Sequence, residues 1–353
     1  PQPFAQQVIS MEDFIHTLNA VIWSPALVAF CLGAGLFFSI KSRFVQLRLI
    51  PEMWRLLFQK KEDEIGLSSF QALSLTLAGR VGTGNIAGVA TAICFGGPGA
   101  LFWMWVVAFL GASSAFVEST LGQIYKERIE GQYRGGPAFY IERGLKLKAY
   151  AWAFAIVTIL ASCFFCPGVQ SNSIALAWNE AFGLDAEVTA AIVASITCFV
   201  IVGGLRRIAT FTSWVVPFMA QAYIVVALII VGVNWEQIPA VMTLIVNSAF
   251  GFDSLTGGML GAAIAWGVKR GIYSNEAGQG TGPHASSAAA VSHPAKQGLV
   301  QAFSVYIDTL FVCSATGFMI LMTGCYNMQA PDGSMIFEGL KGVEAGPVYT
   351  QAA

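Results

Sequence analysis

The chain has 353 residues and a formal net charge of −1; 56% of its residues are hydrophobic and only 11% are charged. Soluble domains carry roughly 25% charged residues, so the composition excludes an ordinary soluble domain. The net charge says nothing of a charged partner, and no basic surface interleaved with aromatics suggests nucleic acid. Stretches free of Asp, Glu, Lys and Arg cover 14–40, 81–117, 149–179, 188–205, 208–235 and 309–331. They reach or approach the roughly 20 residues that a spanning helix needs. All are continuously apolar rather than alternating, which favours helices over an outer-membrane barrel. The expected fold class is all-α, a polytopic transmembrane helix bundle in a lipid bilayer.

In chain order, the first expected helix covers 14–40, with Pro25 as a kink. A basic loop at 41–64 follows, containing an amphipathic piece, Leu49 to Phe58, suited to the inner membrane surface. The second helix runs over 68–95 and ends at the turn Phe95-Gly96-Gly97-Pro98-Gly99. The third covers 100–125, the fourth 150–180, the fifth 186–204 and the sixth 212–233. Residues 234–256 form an external segment with a short helix, Ile238 to Phe250. A seventh helix covers 257–288 and an eighth 297–325, before a polar, glycine-rich stretch, Asn327 to Ala345. Gly346-Pro347 then reads as the start of another helix. The expectation is a C-terminally truncated fragment.

Charge placement sets the orientation. Six basic residues lie in 41–61, six more in 126–148, and Arg206-Arg207 form a third cluster. Counting helices puts these three on one side, while Glu180, Asp185, Glu187, Glu236, Asp253, Asp332, Glu338 and Glu344 lie on the other, with Lys341 as the exception. The positive-inside rule puts the basic loops in the cytoplasm and the N-terminus outside, as fits an inner bacterial or archaeal membrane. Residues 1–13 lack a basic start, so no cleavable signal is expected there.

Two glycine-broken segments carry the functional signal. The first is Gly82-Thr83-Gly84-Asn85-Ile86-Ala87-Gly88 and the second runs from Trp266-Gly267-Val268 to Ser274-Asn275-Glu276-Ala277-Gly278. Unwound backbone survives at membrane depth only inside protein or along a cavity, and paired interrupted helices point to a carrier's binding site. Freed amides at a half-helix start suit a carboxylate, while Thr83 and Asn85 offer neutral oxygens to an amine or a dehydrated Na⁺. The same Gly84-to-Gly88 spacing also serves helix packing. For the second segment, Lys269-Arg270 alternatively mark a cytoplasmic helix end. Gln170, beside Pro167-Gly168, suits either a ligand or interhelical contact. Arg80, Glu118, Glu276 and Asp308 are the intramembrane charges; Arg80 is expected to pair with one of the three carboxylates, in a structural or a gating role.

Enzyme signatures are thin. His16, His284 and His293 lack partners at metal spacing, and no nucleophile elbow, zinc-protease motif or Walker loop is present. Cys163-Phe-Phe-Cys166 has redox spacing without a βαβ setting. No enzyme activity and no organic cofactor are expected.

These motifs, with Arg134-Gly135-Gly136-Pro137 and Pro167-Gly168-Val169-Gln170-Ser171-Asn172, resemble the alanine or glycine:cation symporter family along essentially the whole chain. The resemblance implies a leucine-transporter-type fold with an inverted five-helix repeat. Residues 1–353 then form a single transmembrane transport domain. Residues 14–40 are an extra helix, 68–233 the first repeat and 257–353 the incomplete second. It implies uptake of alanine or glycine coupled to Na⁺, or to H⁺. By matching position, Gly82 and the amides of Thr83 and Gly84 meet the substrate carboxylate and Asn85 the amine or ion. Gln170, Trp266, Gly267 and Val268 close the pocket. Backbone oxygens near Ala78 and Val81 contribute to a Na⁺ site whose other ligands lie beyond residue 353. A larger neutral amino acid, a channel and an intramembrane enzyme are the rival readings.

Overall fold

Proline and glycine decide where the long apolar stretches stay continuous. The computed structural model describes residues 11–59, 63–252 and 259–353. Lys60, Lys61, Asp253 and the expected start of the seventh helix at 257 lie outside them. The single helix expected over 14–40 is two, α1 (Met11–Ile22) and α2 (Pro25–Lys41). Pro25 starts α2 instead of kinking one helix, because a proline ring suits the first turn and disfavours helical geometry in the residue before it. On the basic loop lie α3 (Val45–Arg48) and the amphipathic α4 (Ile50–Leu57), which buries Met53, Leu56 and Leu57.

The second stretch is α5 (Ser69–Arg80), an unwound Val81–Ile86, and α6 (Ala87–Gly96). A reciprocal cap starts α5: Ser68 Oγ accepts from the Gln71 amide at 3.1 Å, and Gln71 Oε1 accepts from the Ser68 amide at 3.0 Å. Then come α7 (Gly99–Ile124), a hairpin of β1 (Glu127–Ile129) and β2 (Gln132–Arg134), and α8 (Pro137–Gly144). The expected fourth helix is α9 (Lys148–Leu160), a π turn (Ala161–Phe165) and α10 (Cys166–Phe182). Pro167 has no amide for the α-helical ladder, and the π turn accommodates it.

The fifth helix is α11 (Ala186–Ile201), and the sixth, α12 (Gly204–Val233), starts earlier than expected. Arg206-Arg207 therefore sit in its first turn instead of a loop, Arg207 lying 4.0 Å over the Phe199 ring. Beyond α13 (Ile238–Phe250) come α14 (Leu260–Asn275), an unwound Glu276–Thr281 and the short α15 (Gly282–Ser287). The eighth stretch is continuous: α16 (Pro294–Val305), a π turn (Tyr306–Cys313) and α17 (Ser314–Thr323). The polar stretch folds as a hairpin of β3 (Asn327–Gln329) and β4 (Met335–Glu338) before α18 (Pro347–Ala352).

The chain is thus a helical bundle with two small hairpins. Among the described residues five stretches are long and apolar enough to cross a membrane: Thr17–Lys41, Gly99–Ile124, Lys148–Phe182, Gly204–Val233 and Pro294–Thr323. The spine is α7, which packs on α2, α13, α14, α15 and α16. Its Ala108, Ala112 and Ala115 are fully buried, small side chains that let neighbours approach closely. By contrast α9 to α12 leave Phe164, Phe199, Trp214 and Phe218 outward, as suits hydrocarbon. The two interrupted helices lie antiparallel, since α6 packs on α14 and α5 on α15.

The basic segments meet on one face. Tyr133 Oη donates to Asp63 at 2.8 Å, and Arg206 donates to the Glu64 carbonyl at 3.3 Å.

Candidate functional site

Each break is held open by side chains that replace its lost helical hydrogen bonds. In the first, Val81 leaves helical geometry after its amide donates to the Leu77 carbonyl at 2.7 Å. Asn85 folds back, so that its Oδ1 accepts from the Gly82 amide at 2.8 Å. The Thr83 amide donates across to Gln170 Oε1 on α10 at 3.2 Å. These contacts supply partners that buried backbone groups require. In the second break Glu276, Gly278 and Gly280 have φ of 53°, 83° and 85°, left-handed backbone that glycine adopts at little cost. Glu118 on α7 receives this loop: its Oε1 accepts from the Gly278 amide at 3.2 Å and its Oε2 from the Gly280 amide at 3.0 Å.

Asp308 joins the first break to the end of α14. It sits in the π turn after α16 with no exposed surface. Asn85 Nδ2 donates to its Oδ1 at 2.7 Å, Ser274 Oγ donates to its Oδ2 at 2.9 Å and Thr309 Oγ1 donates to the same oxygen at 2.8 Å. One carboxylate thereby links the first break to the last turn of α14. The backbones also touch there, since a Cβ on Gly84 would lie 2.9 Å from Ser274 Cα.

Arg80 does not form the expected ion pair. Among the described residues no carboxylate comes within 4.0 Å of its guanidinium. Nη1 instead donates to Ser304 Oγ and, at 3.4 Å, to the Gln301 carbonyl, while Nε and Nη2 have no partner. The three candidate carboxylates are already satisfied: Glu118 by amides, Asp308 by neutral side chains, and Glu276 by Thr281 Oγ1 at 2.6 Å.

A cavity of about 1150 Å³ opens between α5, α10 and the second break, lined by Ala78, Gly79, Val81, Gly82, Gln170 and Glu276. This exceeds the roughly 300–1,000 Å³ of an enclosed ligand pocket, as befits a vestibule leading to a site. Thr83, Gly84 and Asn85 stand immediately beside it, at the start of α6. Trp266, Gly267 and Val268 are elsewhere. They belong to regular α14, ahead of the break: Trp266 stacks on Phe95 at 5.0 Å, a Cβ on Gly267 would come within 2.6 Å of Trp103 Cβ, and Val268 is fully buried. The second break therefore lies at Glu276–Thr281, and Gly267 serves close packing on α7. Lys269 and Arg270 likewise lie within α14, so they do not end it. Sequence reasoning missed Thr309, Ser304 and Gln301. None stands in a motif; their only signal is polarity on an otherwise apolar helix.

A helical membrane bundle in which two antiparallel interrupted helices meet at a largely apolar cavity with a few polar groups, Gln170 and Glu276 among them, has the architecture of a carrier. Residues 8–346 match the sodium:alanine symporter family. The chain belongs to that family, and it is a multi-pass membrane protein. It is 62% identical to a Bacillus subtilis protein named as a sodium/proton-dependent alanine carrier, YrbD, over 97% of this chain and 71% of that one. It is 50% identical to the sodium/proton-dependent alanine carrier protein of Bacillus sp. PS3, over 85% of this chain and 68% of the relative. A third relative, named as the sodium/glutamine symporter GlnT of Bacillus subtilis, is 43% identical over 93% and 69%.

Proposed function

We propose that this protein takes up small neutral amino acids, alanine or glycine, together with Na⁺ by alternating access. The observation that carries the reading is the convergence of both unwound segments on one cavity, with Asp308 tying the first of them to the end of α14. In the unwound segment before α6, the Gly84 amide suits the substrate carboxylate, joined by the Thr83 amide once Gln170 gives it up, while the Gly82 amide stays with Asn85. The carbonyl ends of α5, near Ala78 and Val81, suit the cation, because a helix C-terminus carries partial negative charge. Two inverted repeats, 68–233 and a second opening near 257, agree with the antiparallel pairing of the broken helices. Gathering of the basic segments on one face supports a cytoplasmic placement for them and an external N-terminus. H⁺ is the alternative coupling ion, in keeping with the relatives named for both. A larger neutral amino acid is the second reading, favoured by the cavity volume and by the relative named for glutamine.

The test is alanine uptake into proteoliposomes holding the full-length protein, with an inward Na⁺ gradient on or off. Saturable uptake that needs Na⁺ and is competed by glycine, but not by glutamine, is expected. Uptake that follows only a proton gradient replaces the ion, and preferential glutamine uptake replaces the substrate. A folded protein that moves none of them ends the carrier reading.

A further inference from the structure

Two amides of the second break point at one side chain, and their geometry explains why that side chain is a carboxylate. Glu118 is 7% exposed in the last two turns of the bundle's spine, between Ala115 and Ser119, both fully buried. Its two oxygens each take a different amide, Gly278 at 3.2 Å and Gly280 at 3.0 Å. Both donors lie in the unwound loop, where neither has a backbone acceptor among the described residues. A glutamine of the same shape has one acceptor oxygen, and its amide nitrogen would face the second N–H, donor against donor. A carboxyl group, with an acceptor on each oxygen, completes this clamp, and charge-assisted bonds are roughly twice as strong as neutral ones.

The charge also has long-range compensation. A Cβ on Gly282 would lie 3.2 Å from Arg80 Nη2 and 3.7 Å from Glu118 Oε1. The guanidinium and the carboxylate thus face each other across that glycine without forming an ion pair.

We infer that Glu118 is a positioning residue: it pins the unwound Glu276–Thr281 backbone to α7 and so holds the loop beside the cavity in its binding-ready shape. Its transport readout rests on the carrier reading above; its backbone readout does not. Without the clamp the loop samples other shapes, and apparent substrate affinity falls with the fraction that stays competent.

The experiment uses the full-length protein carrying Glu118→Gln, with Ser119→Ala as a neighbouring control whose buried hydroxyl has no partner among the described residues. Hydrogen exchange without substrate should quicken about tenfold in peptides covering 276–282, the equivalent of one lost charge-assisted bond, and stay unchanged over 100–117. Alanine KM should rise about tenfold with Vmax within threefold, and Ser119→Ala should change neither. Unchanged exchange over 276–282 in Glu118→Gln overturns the clamp. So does a fall in Vmax at constant KM, which reports loss of folded carrier instead of a misplaced loop. If the wild type moves no alanine, the carrier reading fails while the exchange result still decides the clamp.

Discussion

The link between Asn85 and Asp308 can be broken and rebuilt by exchanging the two residues. Asn85→Asp keeps the acceptor for the Gly82 amide but sets a second carboxylate where Nδ2 now donates to Asp308 at 2.7 Å. Two charges at that spacing repel by about 6 kcal/mol at an effective dielectric near 20. Breaking a buried charge arrangement of this kind typically costs about 3–5 kcal/mol in practice. Asp308→Asn alone is milder, because its oxygen can still accept from Asn85 Nδ2 while its nitrogen donates to Ser274 and Thr309, whose hydroxyls accept as readily as they donate. In the variant carrying both changes the side-chain link between 85 and 308 returns with its roles reversed, while the bond that Nδ2 makes to the carbonyl of residue 308 at 3.1 Å is lost, so recovery is partial. The carboxylate now at position 85 accepts from the Gly82 amide and from the side-chain amide now at position 308. The oxygen of that side-chain amide accepts in turn from Ser274 and Thr309.

The assay is a double-mutant cycle on the heat-inactivation midpoint in detergent, with alanine uptake alongside. Asn85→Asp should lower the midpoint by roughly 5 °C or more and abolish most uptake. Adding Asp308→Asn should recover at least half of that midpoint loss, a coupling of about 2 kcal/mol between residues in direct contact. A double variant no better than Asn85→Asp would refute the latch. Recovery of stability without recovery of uptake would mean that the negative charge must stay at 308, as a cation ligand would require.

Three further outcomes follow from single contacts. Gly84→Ala drives a methyl to 2.9 Å from Ser274 Cα, an overpacking cost of about 1–3 kcal/mol, so uptake should fall at least tenfold while Gly168→Ala, with open space around it, is neutral in the same uptake assay. Gln170→Leu removes the acceptor for the Thr83 amide, worth about 1 kcal/mol, and should raise alanine KM about fivefold; an unchanged KM removes Gln170 from the site. On the basic face, the amide of Gly66, with the Tyr133 hydroxyl and the Ile65 amide, holds the Asp63 carboxyl below the usual carboxylate range. A lowered carboxylate contributes stability above its unfolded value, about 3.9, and loses it as pH falls through the lower folded value. Between pH 5 and 3 the wild-type midpoint should therefore drop more steeply than that of Asp63→Asn; parallel curves would contradict this.

The helices were legible because charge-free length is a strong signal, and Ile238 to Phe250 was read with the bounds that the structure has. The second break was read over Trp266 to Gly278 and lies at Glu276–Thr281, so its start was placed about ten residues early, for a physical reason. Glycine marks either unwinding or close approach, and sequence does not separate the two. Gly267 meets Ala100 and Trp103 within a continuous helix, whereas Gly278 and Gly280 take left-handed backbone. The expected ion pair of Arg80 failed for a related reason. Residue types suggest that a buried cation seeks a carboxylate, but here those carboxylates are engaged by backbone amides and hydroxyls, partners that carry no mark in the sequence. The hairpins at 127–134 and 327–338 escaped notice because strands of three or four residues leave no periodicity to read.

The division of acceptors suggests which parts move together. The first break and the end of α14 share Asp308 and touch at Gly84 and Ser274, so they act as one body. The loop after α14 is bound instead to α7 through Glu118. Between these two attachments lie only Asn275, Glu276 and Ala277, with Glu276 at φ 53°, a sparsely populated conformation for a residue with a side chain. A hinge needs a few residues able to absorb a backbone change between two firmly held bodies. The structure supplies that arrangement beside the cavity, where Glu276 also lines the wall. Movement of the loop relative to the end of α14 and the first break would therefore change Glu276 first. Glu276→Gly relieves its backbone cost and should raise the exchange rate of 275–277 without altering 82–90. Acceleration of both segments together would place the hinge elsewhere.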